Sequence, residues 1–359
     1  MFEIDGSQKS GSGTILRDIA CYCALTGEEV RLVNIRAGRD KPGLRAQHLK
    51  VLQAVAQVCH GQLEGEAVGS KEVSFRPGKG IAGGEFEWDI GTAGSATLLG
   101  SALLPLALFA GGPSVYRIRG GLFQDYAPSA FHFREVLLPV LQEMGVQAKL
   151  EIIKPGYVPQ GGGEILIKVT PLNGSLGAME RLAQGKVTGV GGTALSSFLK
   201  GRKVSGRMAA ACERVLREKG YTPHIGVLYD SREDPVYQQA AVQPGAALAV
   251  WAATDTGCLL GADMAGAPRR TAERIGKQTA RNLIKDLESG ATVDRHLADQ
   301  LIPYAALAEG WSSYLIPFMT EHIESRFWLA RDIFGAVTDV EGNRVRIKGT
   351  GFSSTSFQL

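Results

Sequence analysis

With 359 residues, 44% of them hydrophobic, the chain is long enough for two or three domains built on real cores. Thirty-nine basic against thirty-six acidic residues leave a formal charge of +3, which excludes the overall positive field of a non-specific nucleic-acid coater and makes any nucleic-acid site local. No stretch of roughly eighteen uncharged apolar residues reads as a membrane span, and the polar start MFEIDGSQKSGSG lacks the basic and apolar segments of a secretory signal. Five cysteines at 21, 23, 59, 212 and 258 form neither an even disulfide framework nor a CxxC pair, so reduced thiols and a cytoplasmic setting are expected.

Taken in chain order, the elements repeat. The first copy reads Gly11-Ser-Gly-Thr-Ile-Leu16, an apolar helix to Gly27, a strand RLVNIRAG, a Pro/Gly link, and an amphipathic helix RAQHLKVLQAVAQVCHG. The second reads Gly94-Ser-Ala-Thr-Leu-Leu99, a helix ending at Ala110-Gly-Gly, a strand SVYRIRGG, a link with Pro128, and a helix FREVLLPVLQEMG. Both close in strands, EVSFRPG and EILIKVTP. A looser third copy gives the helix LADQLIPYAALAEG, the strand SSYLIPFMT, the helix ESRFWLARDIFGAV and the strand RVRIK. Alternating strands and helices in each copy predict an α/β (α+β) fold: three repeated units of small sheets, each covered by a helix pair, packed around shared helices. Between about 186 and 268 the rhythm stops, and one amphipathic helix with the strands HIGVLYD and ALAVWAATD reads as a smaller inserted α/β domain in the third unit. The expected division is a large domain of residues 1–185 and 269–350, an insert of 186–268, and a tail of 351–359.

Three places offer chemistry. Turns such as Gly11-Ser-Gly-Thr14, and Gly94-Ser95 in the second copy, set backbone N–H groups at a helix start, where an anion binds readily; the same glycines serve equally for tight strand-to-helix turns. The link IRAGRDKPGLRAQH gathers Arg36, Arg39, Lys41, Arg45 and His48, and arginine's fork suits phosphate oxygens; a merely solvated charged face is the alternative. His322, in FMTEHIESRF, follows the third copy's strand where the first copy has its arginine link, so the links of like units should converge on one cleft with it. A histidine beside Glu321 also suits a surface or capping role, but neutral imidazole is a competent nucleophile at neutral pH. His48 and His296 are further pocket members by position.

These stretches resemble the RNA 3′-terminal phosphate cyclases, which share their repeated unit with the enolpyruvyl transferases. The resemblance rests on IDGSQ with TILR at 14–17, IRAGRDKPGL at 35–44, Gln47-His48-Leu49, IGTAGSATL at 90–98, Gly120-Gly121 with Ala127-Pro128, GYVPQGGGE at 156–164, LADQL at 297–301 and the His322 segment. It implies that His322 takes AMP from ATP, that AMP passes to an RNA 3′-phosphate, and that the neighbouring 2′-hydroxyl closes a 2′,3′-cyclic phosphate. It further implies Mg²⁺ or Mn²⁺ on the phosphates, with Arg17, Arg36 and Arg39 holding phosphates, Gln47 and Asp299 lining the pocket, Gln300 on the nucleotide and Pro128 bordering adenine. RNA 3′-phosphate ends and ATP are the implied partners.

The chain departs from the family pattern at several points. Ser10-Gly-Ser-Gly-Thr14 stands where a glutamate and three glycines are usual, Ser101 replaces a glutamine, and His296 replaces a tyrosine that stacks on adenine. The link LFQDYAPSAFHF differs from an Asn-Pro-rich form. Two other functions fit the same unit. A non-catalytic, cyclase-like RNA-binding protein acting in RNA processing or ribosome assembly would have lost His322. Enolpyruvyl transfer requires a longer chain of two three-unit domains.

Overall fold

The computed structural model describes residues 1–353, so residues 354–359 of the expected tail lie outside the described residues. The first unit runs β1 (Phe2–Asp5), α1 (Gly13–Thr26), β2 (Val30–Val33), α2 (Ala46–Val58), β3 (Gln62–Glu64) and β4 (Val73–Arg76). The second runs β5 (Gly84–Asp89), α3 (Ala96–Ala107) and β6 (Ser114–Gly120), then α4 (Ala130–His132), a π turn (Phe133–Leu137) and α5 (Leu138–Glu143), closing with β7 (Gln147–Lys154) and β8 (Gly163–Thr170). The third opens with β9 (Glu180–Arg181) and is interrupted by β10 (Val187–Ser197), α6 (Val204–Glu218), β11 (Pro223–Asp230), β12 (Gly245–Thr254), β13 (Leu259–Ala265) and α7 (Ala272–Glu288). It resumes with α8 (Leu297–Gln300), α9 (Ile302–Leu307), β14 (Glu309–Leu315), α10 (Glu321–Phe334), β15 (Val337–Glu341) and β16 (Arg344–Thr350).

Sheet topology confirms the repeat. The three sheets are ordered β1-β2-β4-β3, β5-β6-β8-β7 and β9-β14-β16-β15. In each, the first two strands pair in parallel and the remaining pairs are antiparallel. The insert's sheet, β11-β10-β12-β13, has a different order, so it is no fourth copy. It interrupts the third sheet between β9 and β14.

Burial explains the layering. In α1 every residue from Thr14 to Leu25 is buried, and α3 is apolar on all sides, the mark of a helix enclosed by protein. These two are the shared helices, α1 packing against α2, α3 and α10. A second core lies in the insert, where Met208 and Cys212 of α6 meet Leu248 of β12 and Leu283 of α7. That core takes in α7 and so extends past residue 268, where the sequence reading ends the insert.

The strand expected over 31–38 ends at Val33, where Asn34 and Arg36 turn to positive φ, and proline accounts for three further differences. The helix expected over 133–145 divides into the π turn and α5 because Pro139 has no N–H for the ladder, and Leu138 N–H reaches back to Phe133 instead. The helix expected over 297–310 breaks into α8 and α9, with Pro303 in the first turn of α9. The strand expected over 312–320 lies earlier, at Glu309–Leu315, since Pro317 ends ladder donation.

Candidate active site

A cleft of about 500 Å³ opens between the units. Its walls carry Arg17 from α1, Arg36, Arg39 and Arg45 from the link between β2 and α2, and Pro128 from the link before α4; the third unit adds Asp299, Gln300 and His322. The links of the three units thus converge on one cavity.

His322 sits in the first turn of α10, whose N-cap Thr320 accepts from Ile323 N–H at 3.2 Å. Gly335, at φ 70°, ends the helix in the left-handed conformation. Across the cleft, Ser12 caps α1 by accepting from Thr14 N–H at 3.2 Å. The two helix starts meet: His322 Nδ1 lies 3.2 Å from Thr14 Oγ1, which accepts from Arg17 at 3.0 Å. The ring stays accessible at the cleft mouth, yet the protein packed around it draws its pKa below the ordinary histidine value, Asp299 opposing.

Behind this pair lies a buried ionic group that sequence reasoning missed. Arg326 donates to Asp18 at 2.9 Å and stands 3.1 Å from the Asp299 carboxylate. Burial raises the Asp18 pKa, against the pull of Arg326 and Arg17, and burial lowers that of Arg17 to about 10, leaving it cationic at neutral pH. Spacing held the clue: Arg326 follows His322 by one helical turn, and Thr14, Arg17 and Asp18 share one face of α1. His48 also lines the cleft, 4% exposed. A Cβ on Gly13 would fall 2.3 Å from its Nε2, so only glycine fits there.

Gly94 and Ser95 are not brought to this cleft. Gly94 borders the adjoining hollow, and Ser95, 2% exposed, caps α3 by accepting from Leu98 N–H at 3.1 Å. Ser95 N–H faces Gln47 Oε1 at 3.4 Å, so this turn supports Gln47 in the wall. Arg36 faces the cleft while donating to its own link at Lys41 and Gly43 carbonyls, and Arg39 ties the link to Ser10 O at 3.1 Å.

Ser10, where the family pattern has a glutamate, is 8% exposed, and its hydroxyl bonds to those of Ser12 and Ser325, each at 2.9 Å. A serine network occupies that position. Among the described residues no group of three or more His, Cys, Asp or Glu comes together to hold an ion, and the cleft carboxylates Asp18 and Asp299 are both engaged by Arg326. These donors do not build a resident metal cage.

What the cleft lacks is partners for its own polar atoms. Ser101 Oγ, Gln300 Oε1, Tyr22 OH and Tyr304 OH are buried without hydrogen bonds on residues that line it. Buried polar groups are normally satisfied, and among protein groups these four have no hydrogen-bond partner. Five arginines against two carboxylates among the lining residues suit a polyanion.

The fold and site define an α/β protein of three like units around one arginine-rich cleft with an imidazole at its mouth. The family model for RNA 3′-terminal phosphate cyclase matches residues 8–340. Proteins named RNA 3′-terminal phosphate cyclase from Methanopyrus kandleri, Archaeoglobus fulgidus and Nitrosospira multiformis are 35%, 36% and 37% identical to the chain. The alignments cover 95%, 97% and 99% of this chain and 96%, 100% and 99% of those relatives. The chain belongs to the RNA 3′-terminal phosphate cyclase family. Among the described residues no helix is long and apolar enough to cross a membrane.

Proposed function

We propose that the protein converts RNA 3′-phosphate ends to 2′,3′-cyclic phosphates at the expense of ATP, with His322 as the residue that carries AMP. The observation that carries this reading is the His322–Thr14–Arg17 chain at the mouth of a polyanion-binding cleft. With the imidazole proton on Nδ1 and donated to Thr14 Oγ1, the Nε2 lone pair is free. Thr14 then accepts from both Arg17 and His322, which uses both acceptor positions of a hydroxyl.

In the first step Nε2 attacks the α-phosphorus of ATP, an N–P bond forms, and pyrophosphate leaves with the electrons of the broken P–O bond. An oxygen of the RNA 3′-phosphate next attacks the same phosphorus, and the N–P bond breaks to regenerate the imidazole. The 2′-hydroxyl then attacks the 3′-phosphorus, losing its proton as AMP departs. Two atoms of one nucleotide react in that last step, and such proximity supplies much of its rate. Arg17, Arg36 and Arg39 hold phosphate oxygens; Gln300 Oε1 accepts from the nucleotide, and Pro128 borders the base. The divalent ion expected with ATP enters on the nucleotide's own phosphates.

Incubation with ATP labelled at the α-phosphate tests the reading. Wild-type protein should acquire an acid-labile, base-stable AMP adduct, and His322→Ala should acquire none. Equal labelling of the two places the nucleophile elsewhere. Absence of label in a wild-type protein that still binds RNA 3′-phosphate favours a non-catalytic binding protein.

A further inference from the structure

Two more hollows continue from the main cleft, and neighbouring hollows share walls. The first, about 600 Å³, takes Arg45, Gln47 and Tyr126 from the cleft wall and reaches Ala267 and Pro268 of the insert. The second, about 430 Å³, runs on from Ala267 and Pro268 to Arg202 and Arg269. Together they form one groove along the seam between the repeated units and the insert.

Tyr126 stands at its entrance. The side chain is fully exposed and its backbone sits at φ 65°, a costly conformation for a bulky residue that surrounding structure must hold. That hold comes from the insert: Arg270 grips the neighbouring Asp125 in a two-pronged ion pair at 2.9 and 2.8 Å, and Asp263 accepts from Ser129 N–H at 2.7 Å. The ring is therefore presented to solvent on an anchored loop. Farther along, Arg207 and Arg270 are tied to Glu273 and Asp125, while Arg202 and Arg269 are exposed and, among the described residues, in no ion pair. An exposed aromatic face followed by unpaired guanidinium groups is the chemistry that binds single-stranded nucleic acid without regard to sequence.

We propose that this groove is the track for the RNA strand upstream of the 3′-phosphate, a base stacking on Tyr126 and the backbone running past Arg45 to Arg269 and Arg202. The insert thereby serves as the strand-holding half of the substrate site. This rests on the reading of the main cleft as the site of the 3′-phosphate. An enzyme that held only the terminal phosphate would bind short and long RNAs alike, whereas the track makes affinity depend on length.

Fluorescence anisotropy with a 3′-phosphorylated dinucleotide and dodecamer tests this on the full chain. Wild type should bind the dodecamer roughly tenfold or more tighter than the dinucleotide. The paired change Arg202→Ala with Arg269→Ala, at exposed positions, should remove most of that advantage, flatten its salt dependence and leave the dinucleotide unaffected. Tyr126→Ala should weaken RNA binding roughly tenfold, with Tyr126→Phe restoring it. Equal wild-type affinity for the two lengths, or unchanged dodecamer binding in the arginine variant, overturns the track. AMP labelling run in parallel separates the two proposals. Wild type that labels but shows no length preference sinks the track alone; wild type that shows the preference but never labels sinks only the cyclase chemistry.

Discussion

Replacing His48 with glutamine isolates the acid sensitivity imposed by an enclosed imidazole. His48 is 4% exposed, and its Nδ1 accepts from Arg45 N–H at 3.2 Å. Burial first, then the charges of Arg17, Arg36 and Arg45, hold its pKa down at about 3. In the unfolded chain the same ring titrates near ~6.5. Between those values the unfolded state binds a proton that the folded state refuses, so this contribution to stability is complete above about pH 6.5 and is lost as the pH falls toward about 3. At about pH 5 the gap spans about one and a half units at about 1.4 kcal/mol each, or ~2 kcal/mol. Glutamine keeps an acceptor for Arg45 N–H and does not titrate. Urea unfolding of both proteins at about pH 8 and about pH 5 should therefore show wild type losing ~2 kcal/mol more than His48→Gln over that interval. Equal losses would refute the argument, since the proton would then have found His48 equally well in the folded protein.

Four further outcomes follow from the same cleft. Arg326→Met leaves Asp18 buried with only Arg17 nearby and should cost ~3 kcal/mol in urea unfolding, most of it recovered when Asp18→Asn is added. Thr14→Val removes the acceptor that orients His322 and should slow single-turnover AMP labelling about tenfold or more, with ATP affinity retained and Thr14→Ser largely restoring the rate. Ser10→Glu forces a carboxylate into the buried serine network and should lower stability by ~2 kcal/mol or more; faster labelling of this variant at low magnesium would contradict the network's closure. Because burial lowers the His322 pKa, the acid limb of the labelling rate should fall below about pH 6.5, the value for a free imidazole; a limb above it would mean a different titrating group.

The repeat made much of this legible. Gly11-Ser-Gly-Thr14 and Gly94-Ser95 mark the starts of the two central helices, and alignment of the copies puts His322 level with the arginine link. What alignment cannot supply is the use of each turn in three dimensions: one faces the cleft, while the other is consumed in supporting Gln47. Arg326 went unread because it does not stand out in a charged helix, and Asp18 because its partner lies 308 residues along the chain; their partnership exists only once α1 and α10 pack. In the insert, β10 carries Gly189, Gly191 and Gly192, residues depleted in strands. Two of them are needed, because a Cβ on Gly191 would meet the Trp251 ring at 2.8 Å and one on Gly192 would meet Val250 at 2.8 Å; nothing lies close to Gly189. The reach of the second core into α7 was hidden because the amphipathic pattern of that helix suits either core equally.

The split third sheet bears on how the protein is made. Met179 N–H, just before β9, bonds to the Ser312 hydroxyl of β14, 133 residues along the chain. On a ribosome the first two units complete themselves from neighbouring sequence, but β9 must wait with an unpaired edge until the entire insert has been synthesised and brought its ends together. The imidazole of α10 arrives after that closure. A nascent or prematurely ended chain therefore displays the arginine link of the first unit with no imidazole opposite it, and only the finished polypeptide brings the two together.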